Sequence, residues 1–411
     1  MKLLFITQYF PPEVGAPQNR LYELAIRLQK AGVDVSVLTA MPNYPKMVVH
    51  DEYRGKKYVY EEMQGLKIHR SWIYVSTDRS IIKRLLNYFS FVYSSYFTGL
   101  RHIETSDFIF CESPPLFLGI TAYLLAWHKN AKLIFNVSDL WPESAEKLGL
   151  VTNNAILLAA TWLEEFLYRK SALITGQTQG IVANIKSRFP QKNVHWLPNG
   201  VDLDYYNPDN YDANWRAKNG FAKDDLVFLY AGILGHAQGL EIILKAADRL
   251  RERRNIQFVL IGDGPERASL TAKAKELGLE NVRFFAPVPK KEMPDIVRAC
   301  TATIIPLKRL ELFKGAIPSK IFESLAMKKP ILLGVDGEAK ELFITQGKSG
   351  LYFTPESVEE LAEAVAYVAG HPEKARQLGE NARKYVGDKF NRNRIASEFH
   401  ALLIAAGTNY E

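Results

Sequence analysis

The segment Pro318-Ser319-Lys320-Ile321-Phe322-Glu323 sets a hydroxyl, a cation and a carboxylate at the start of an amphipathic stretch. Proline suits the first position of a helix, because its missing N–H would have no partner there. Ser319 and Lys320 then fall in the first turn, where unpaired amides and the helix dipole favour a phosphate. Glu323 follows one turn later, within reach of a diol. A diphosphate subsite beside a ribose clamp is what chemistry on nucleotide sugars requires. A capped amphipathic helix with an exposed glutamate has the same residues, so the rest of the chain must decide.

Other segments could supply the remaining groups. Phe10-Pro11-Pro12-Glu13-Val14-Gly15-Ala16-Pro17-Gln18-Asn19-Arg20 reads as the first βα loop. Gly15 and Ala16 stand just before the helix, where small residues let amides approach an anion. A plain strand-to-helix turn uses the same residues. No G-x-G-x-x-G fingerprint is present, and no acidic residue follows the second strand. Gly262 and Gly264, in Ile261-Gly262-Asp263-Gly264-Pro265-Glu266, allow close backbone approach to a nucleoside, or simply a tight βα turn. Asn136-Val137-Ser138-Asp139 ends a strand, where polar residues are placed for catalysis. Asp139 is read either as a group orienting a hydroxyl or stabilising positive charge on a sugar ring, or as the N-cap of a helix opened by Trp141-Pro142. Glu112-Ser113-Pro114-Pro115 ends another strand and reads as a turn or as part of the cleft lining. The histidines lack metal-ligand spacing, and His69, His195 and His236 read as structural or peripheral.

These residues need a scaffold, and 411 residues imply two domains. Both halves alternate short apolar runs with helical patterns, the signature of parallel α/β units. Leu3–Thr7, the alternation Val33, Val35, Val37, then Phe108–Cys111 and Leu133–Val137 read as strands of the first half. Leu21, Leu24, Ala25 and Leu28 mark its first helix. Leu226–Ala231, Phe258–Ile261, Thr303–Ile305 and Ile331–Gly334 are the strands of the second. Pro198-Asn199-Gly200 is strong turn chemistry and marks the boundary, giving domains 1–200 and 201–390. The last segment, from 391 to 411, reads as a helix that crosses back to the first domain. The expected class is α/β, two doubly wound domains facing a cleft.

The net charge of +7 is uneven: residues 1–200 hold 22 Lys and Arg against 16 Asp and Glu. No nucleic-acid motif accompanies this excess, so an anionic membrane or a phosphorylated substrate is the expected partner. The segment 79–97 joins Arg79, Lys83 and Arg84 to aliphatic and aromatic residues. It reads as an interfacial helix touching anionic lipid or as a core helix with a basic first turn. The N-terminus lacks the long apolar core of a signal peptide, and the longest apolar run, Leu116 to Trp127, is too short to span a bilayer. Two distant cysteines, Cys111 and Cys300, suit a reducing compartment, so a cytoplasmic protein is expected.

The order of these pieces resembles the family-four retaining glycosyltransferases, which have the GT-B fold, and within them the L-fucosamine transferase branch of O-antigen and capsule assembly. The resemblance covers nearly the whole chain. It rests on Tyr9-Phe10-Pro11-Pro12-Glu13-Val14-Gly15-Ala16, Met41-Pro42-Asn43-Tyr44-Pro45, Ser113-Pro114-Pro115, Asp139-Leu140-Trp141-Pro142-Glu143-Ser144, Pro198-Asn199-Gly200-Val201-Asp202, Gly262-Asp263-Gly264-Pro265 and Pro318–Glu323. It implies transfer of a sugar, with retention, from a nucleoside diphosphate donor such as UDP. The implied acceptor is a polyprenyl-diphosphate-linked saccharide at the inner membrane face. Glu323 would hold the ribose, Gly15 and Ala16 the diphosphate, and Ser319 and Lys320 the phosphates. Asp139 falls near the catalytic position, and no metal cofactor is implied.

Two departures matter. The position eight residues before Glu323, where relatives carry a second glutamate, is Gly315. The loop Gly232–Gly239 has Ile233 and Gln238 where relatives place an arginine and a lysine. Lys320, with Lys308 or Lys314, is then the expected diphosphate cation. Gly315, Ala316 and Ile317 would present amides and apolar surface to the sugar, which suits a deoxy or N-acetylated amino sugar. A nucleotide-sugar epimerase of similar two-domain fold and a non-catalytic sugar-binding protein are the alternatives.

Overall fold

The computed structural model describes residues 1–408 apart from Arg79, Leu148, Leu150, Thr152 and Ala213; the side chains of Ile81 and Thr408 also lie outside the description. Arg79, the first cation of the expected interfacial segment, and residues 409–411 of the expected last helix are therefore outside it. The chain divides into two compact units. One is Met1–Asn199 with the segment from Arg392, and the other is Gly200–Asn391.

Unit one is built on an eight-stranded sheet. Its strands are β1 (Lys2–Ile6), β2 (Asp34–Ala40), β3 (Tyr58–Met63), β4 (Leu66–Ser71), β5 (Phe108–Ser113), β6 (Lys132–Val137), β7 (Leu173–Gly176) and β8 (Val194–Trp196). The order is β3-β4-β2-β1-β5-β6-β7-β8. Only β3 and β4 pair antiparallel, through Gln64 and Gly65, both at positive φ. Such a two-residue reversal matches the right-handed twist of its strands. The other pairs are parallel and covered by helices. Leu3, Leu4, Phe5 and Ile6 are accordingly all buried, with no polar alternation. The helix Arg392–Thr408 packs on Ala16–Lys30: Arg27 Nε donates to Asn393 Oδ1 at 2.7 Å, and Phe399 meets Phe110 edge-on at 5.7 Å.

Unit two has a six-stranded, wholly parallel sheet. The strands are β9 (Leu226–Ala231), β10 (Ile256–Ile261), β11 (Val282–Phe285), β12 (Ala302–Pro306), β13 (Ile331–Gly334) and β14 (Gly350–Tyr352). The order β11-β10-β9-β12-β13-β14 is the doubly wound pattern of a dinucleotide-binding sheet. The connections reverse direction beside β9 here and beside β1 in unit one. In open α/β sheets ligands bind outside the carboxyl ends of the strands at such switch points.

The helix read as starting at Pro318 begins at Lys320 and ends at Ala326, with Ser319 as its N-cap and Pro318 outside it. Pro318 still accepts the amide of Ile321 at 3.1 Å, so it starts the turn that leads into the helix without joining it.

Candidate active site

In unit two the carboxyl end of β9 meets the start of the helix Lys320–Ala326. Lys320 Nζ stands 3.9 Å from the centre of the Tyr230 ring. A Cβ placed on Gly232 would lie 2.8 Å from that same nitrogen. The Tyr230 hydroxyl is tied to the Ile233 carbonyl at 2.6 Å, which fixes the ring beneath the ammonium. Among the described residues the ammonium has no hydrogen-bond or ion-pair partner. Burial pulls its pKa down to about 8, with Glu323 pulling the other way. An unpaired, desolvated cation beside a glycine loop at a switch point is prepared for an anion.

Glu323 is half-buried one turn on, and its charge helps raise the pKa of Tyr205, after burial and Tyr211. Ser319 makes no capping bond through its side chain. Lys314 is instead paired with Glu311 at 2.7 Å on the surface, and the Lys308 chain packs against Gly239. Of the three, Lys320 is the cation placed over the Tyr230 ring at the carboxyl end of β9. Gly315 is exposed with open space where a Cβ would point, so its backbone would accept a side chain.

Gly262 and Gly264 form the tight βα turn that was one of their two readings. Both adopt positive φ, at 146° and 154°. A Cβ on either would collide with a carbonyl of the β9 loop, that of Gly232 or of Leu234. Leu234 N donates to Asp263 O, and Glu266 N to Leu234 O, both at 2.9 Å. What comes close to these glycines is the chain's own neighbouring loop. Gly262→Ala should therefore cost about 3 kcal/mol in urea unfolding, while Gly315→Ala should stay within about 0.5 kcal/mol. Equal effects would contradict the laced-loop account.

In unit one a buried polar network crosses the carboxyl ends of β5, β6 and β7. Arg20 Nη2 donates to Glu112 Oε1 at 2.7 Å and to Ser138 Oγ at 2.8 Å. Ser138 Oγ and Asn136 Nδ2 each reach Glu112 at 2.5 Å, and Thr175 Oγ1 donates to Asn136 Oδ1 at 2.7 Å. Asp139 leaves this network half-buried. Its Oδ2 accepts from Ser144 Oγ at 2.7 Å, a side-chain bond, so it does not cap the short helix Glu143–Lys147 through a backbone amide as the capping reading required. Gly15 is the extended N-cap residue of Ala16–Lys30, with the Gln18 side chain folded over it. The preceding loop is fixed by buried Glu13, which accepts from Phe10 N at 3.1 Å and from Asn43 N and Tyr44 N at 2.8 Å. Burial raises the Glu13 pKa, and these amides oppose the rise.

Sequence reasoning missed the roles of Arg20, Glu112, Glu13 and Tyr230. The β5–β6 register, which sets Glu112 beside Asn136, was the signal for the first network. Among the described residues no group of three or more His, Cys, Asp or Glu is placed to hold a metal ion.

Both units match glycosyltransferase families. Residues 15–200 match the glycosyl transferase 4-like domain, and residues 212–385 match glycosyl transferases group 1. The chain belongs to the family-four glycosyltransferases. It is 27% identical over 375 residues to a protein of Escherichia coli named as a colanic acid biosynthesis glycosyl transferase, covering 89% of this chain and 91% of that one. It is 26% identical over 283 residues to the lipopolysaccharide 1,2-N-acetylglucosaminetransferase of Salmonella typhimurium, covering 66% and 70%. Among solved structures, sucrose-phosphate synthase of Thermosynechococcus elongatus superposes with TM-score 0.75 at 17% identity, over 98% of this chain and 99% of that one. Anabaena HepE in complex with UDP-glucose superposes with TM-score 0.71 at 17% identity, over 98% and 100%. The fold is GT-B, as the resemblance implied.

Proposed function

We propose that this glycosyltransferase moves a sugar, with retention, from a nucleoside diphosphate donor to a polyprenyl-diphosphate-linked saccharide in surface polysaccharide synthesis. The observation that carries the reading is the unpaired Lys320 ammonium over Tyr230, in a domain matching a glycosyltransferase family. In this reading unit two holds the donor. Lys320 takes the diphosphate, Ser319 assists, Glu323 takes the ribose hydroxyls, and no metal is needed for charge neutralisation. Unit one holds the acceptor, with Asp139 at its carboxyl edge, and Gly15 and Ala16 serve as further donor-binding residues for the diphosphate. The leaving phosphate accepts the proton of the incoming hydroxyl.

UDP is the favoured nucleotide, in keeping with the UDP-glucose held by Anabaena HepE. The neutral Gly315–Ile317 stretch favours a deoxy or N-acetylated amino sugar, and the L-fucosamine branch is the branch we favour. The Escherichia coli and Salmonella relatives, by their names, support the surface-polysaccharide setting. No described helix is long and apolar enough to cross a membrane. The helix Ile81–His102 instead offers an exposed apolar stripe, which suits peripheral contact with the inner face of the membrane.

The test is nucleoside diphosphate release from a panel of UDP-sugars, with and without lipid-linked acceptor. Acceptor-dependent release with retained anomeric configuration is expected. Conversion of the donor sugar without acceptor would assign an epimerase, and binding without turnover would leave a sugar-binding protein.

A further inference from the structure

A cavity of about 760 Å³ opens in unit one between the β3–β4 hairpin, the loop before it and the helix Ile81–His102. Tyr53, Trp72, Ile73, Tyr93 and Phe97 make its wall largely apolar. Arg54, Lys56, Lys57 and Arg101 stand exposed around it, and no carboxylate lines it. Arg54 pairs with Asp51 at 2.6 Å. Among the described residues Lys56, Lys57 and Arg101 have no ion-pair or hydrogen-bond partner for their charged groups.

The cavity is continuous with the helix's outer stripe. Ile82, Leu86, Phe89, Tyr93, Phe97 and Leu100 recur every three or four residues and are all exposed. They cover one face for roughly 27 Å at 1.5 Å per residue. Tyr93 and Phe97 belong to both the stripe and the cavity wall. A surface lying on the stripe therefore meets the mouth of the cavity, and the mouth is ringed by cations. An acidic peptide would satisfy the cations and leave the stripe in water. A hydrocarbon chain ending in a phosphate satisfies both.

We propose that this cavity binds a phosphate-bearing lipid, its chain against Trp72, Tyr93 and Phe97 and its phosphate against Lys56, Lys57 and Arg101. Two sources share this chemistry. One is an anionic bilayer phospholipid, which needs nothing from the proposed reaction. The other is the polyprenyl carrier of the acceptor, which rests on that proposal.

The experiment titrates the full chain with dihexanoyl-phosphatidylglycerol, farnesyl phosphate, dihexanoyl-phosphatidylcholine and inorganic phosphate. Trp72 fluorescence is the readout, and Trp72→Phe identifies its signal. Saturable binding of either anionic lipid is expected, with phosphatidylcholine and inorganic phosphate at least about tenfold weaker. Phosphatidylglycerol binding assigns the bilayer source, and preference for farnesyl phosphate assigns the carrier. The exposed-charge variant Lys57→Glu/Arg101→Glu should weaken binding at least about tenfold. Ser94→Phe, which adds bulk at the wall, should weaken it too. Leu86→Ser/Phe89→Ser should abolish flotation with anionic vesicles while sparing binding of the soluble lipids. Absence of saturable binding, equal binding of phosphatidylcholine, or indifference to both cavity variants would overturn the proposal. Loss of sugar transfer with the phosphatidylglycerol arm intact would sink the reaction and leave the lipid site standing.

Discussion

Lys320→Met should lower kcat/KM for the donor by about 10²–10³-fold without destabilising the protein, as removal of one preorganised charge partner does elsewhere. The methionine keeps an unbranched chain over the Tyr230 ring and removes only the charge. In the unliganded protein that charge is desolvated and unpaired, so losing it relieves the folded state. The pattern expected is a deep loss of turnover with urea stability equal to or above wild type. A folding defect cannot produce it. Lys320→Arg should recover little, because the broader guanidinium must fit between the Tyr230 ring and the Gly232 backbone. Unchanged donor affinity and turnover in Lys320→Met would remove Lys320 from the site.

The same group sets two pH dependences. With a pKa of about 8, Lys320 is charged below pH 8 and loses its proton above it, so the donor KM should rise there. Lys320→Arg should not show that rise. Stability moves the opposite way. An unfolded lysine titrates near 10.4, so between about pH 8 and 10.4 the unfolded chain binds the proton that the folded chain has released. The unliganded protein therefore gains stability from this group as pH climbs through that window. Comparing wild type with Lys320→Met across it isolates the gain.

What the sequence disclosed follows from how far apart the cooperating residues stand. β9 and β13 were legible at their full extent because buried parallel strands are short, unbroken apolar runs. The hairpin β3–β4 was missed because Tyr60, Glu61, Glu62 and Lys67 dilute its apolar signal. Its Gln64-Gly65 turn was the available cue. β8 and β14 have three residues each, too few for a run to stand out, and Arg283 interrupts the apolar run of β11. Lys320 could be nominated from its neighbours, but its setting could not. Tyr230 lies in another strand, and only the β9–β12–β13 order brings that strand beneath the helix. The glycines of the β10 loop were read correctly as permitting close approach, while the approaching partner depended on tertiary structure.

Arg20→Leu should cost about 3–5 kcal/mol, the usual consequence of stranding one member of a buried ion pair. Arg20 and Glu112 are 6% and 3% exposed, 2.7 Å apart. Without the guanidinium, Glu112 keeps only Asn136 and Ser138 as neutral donors for a buried charge. The double variant Arg20→Leu/Glu112→Leu should lose clearly less than the sum of its single changes, because each single change strands a charge that the pair removes together. Hydrogen exchange in β5 and β6 is the suitable readout, since the network lies across the ends of those strands and a two-unit chain need not unfold in one step. Additive single and double effects, or unchanged exchange in β5 and β6, would show that the pair does not hold this edge of the sheet. The stake is functional as well as structural. Ser138, which bonds both partners, is the residue immediately before Asp139, so loosening the pair frees the loop that carries Asp139. Arg20→Leu should therefore depress kcat more than donor KM, because Ser319, Lys320 and Glu323 lie in unit two.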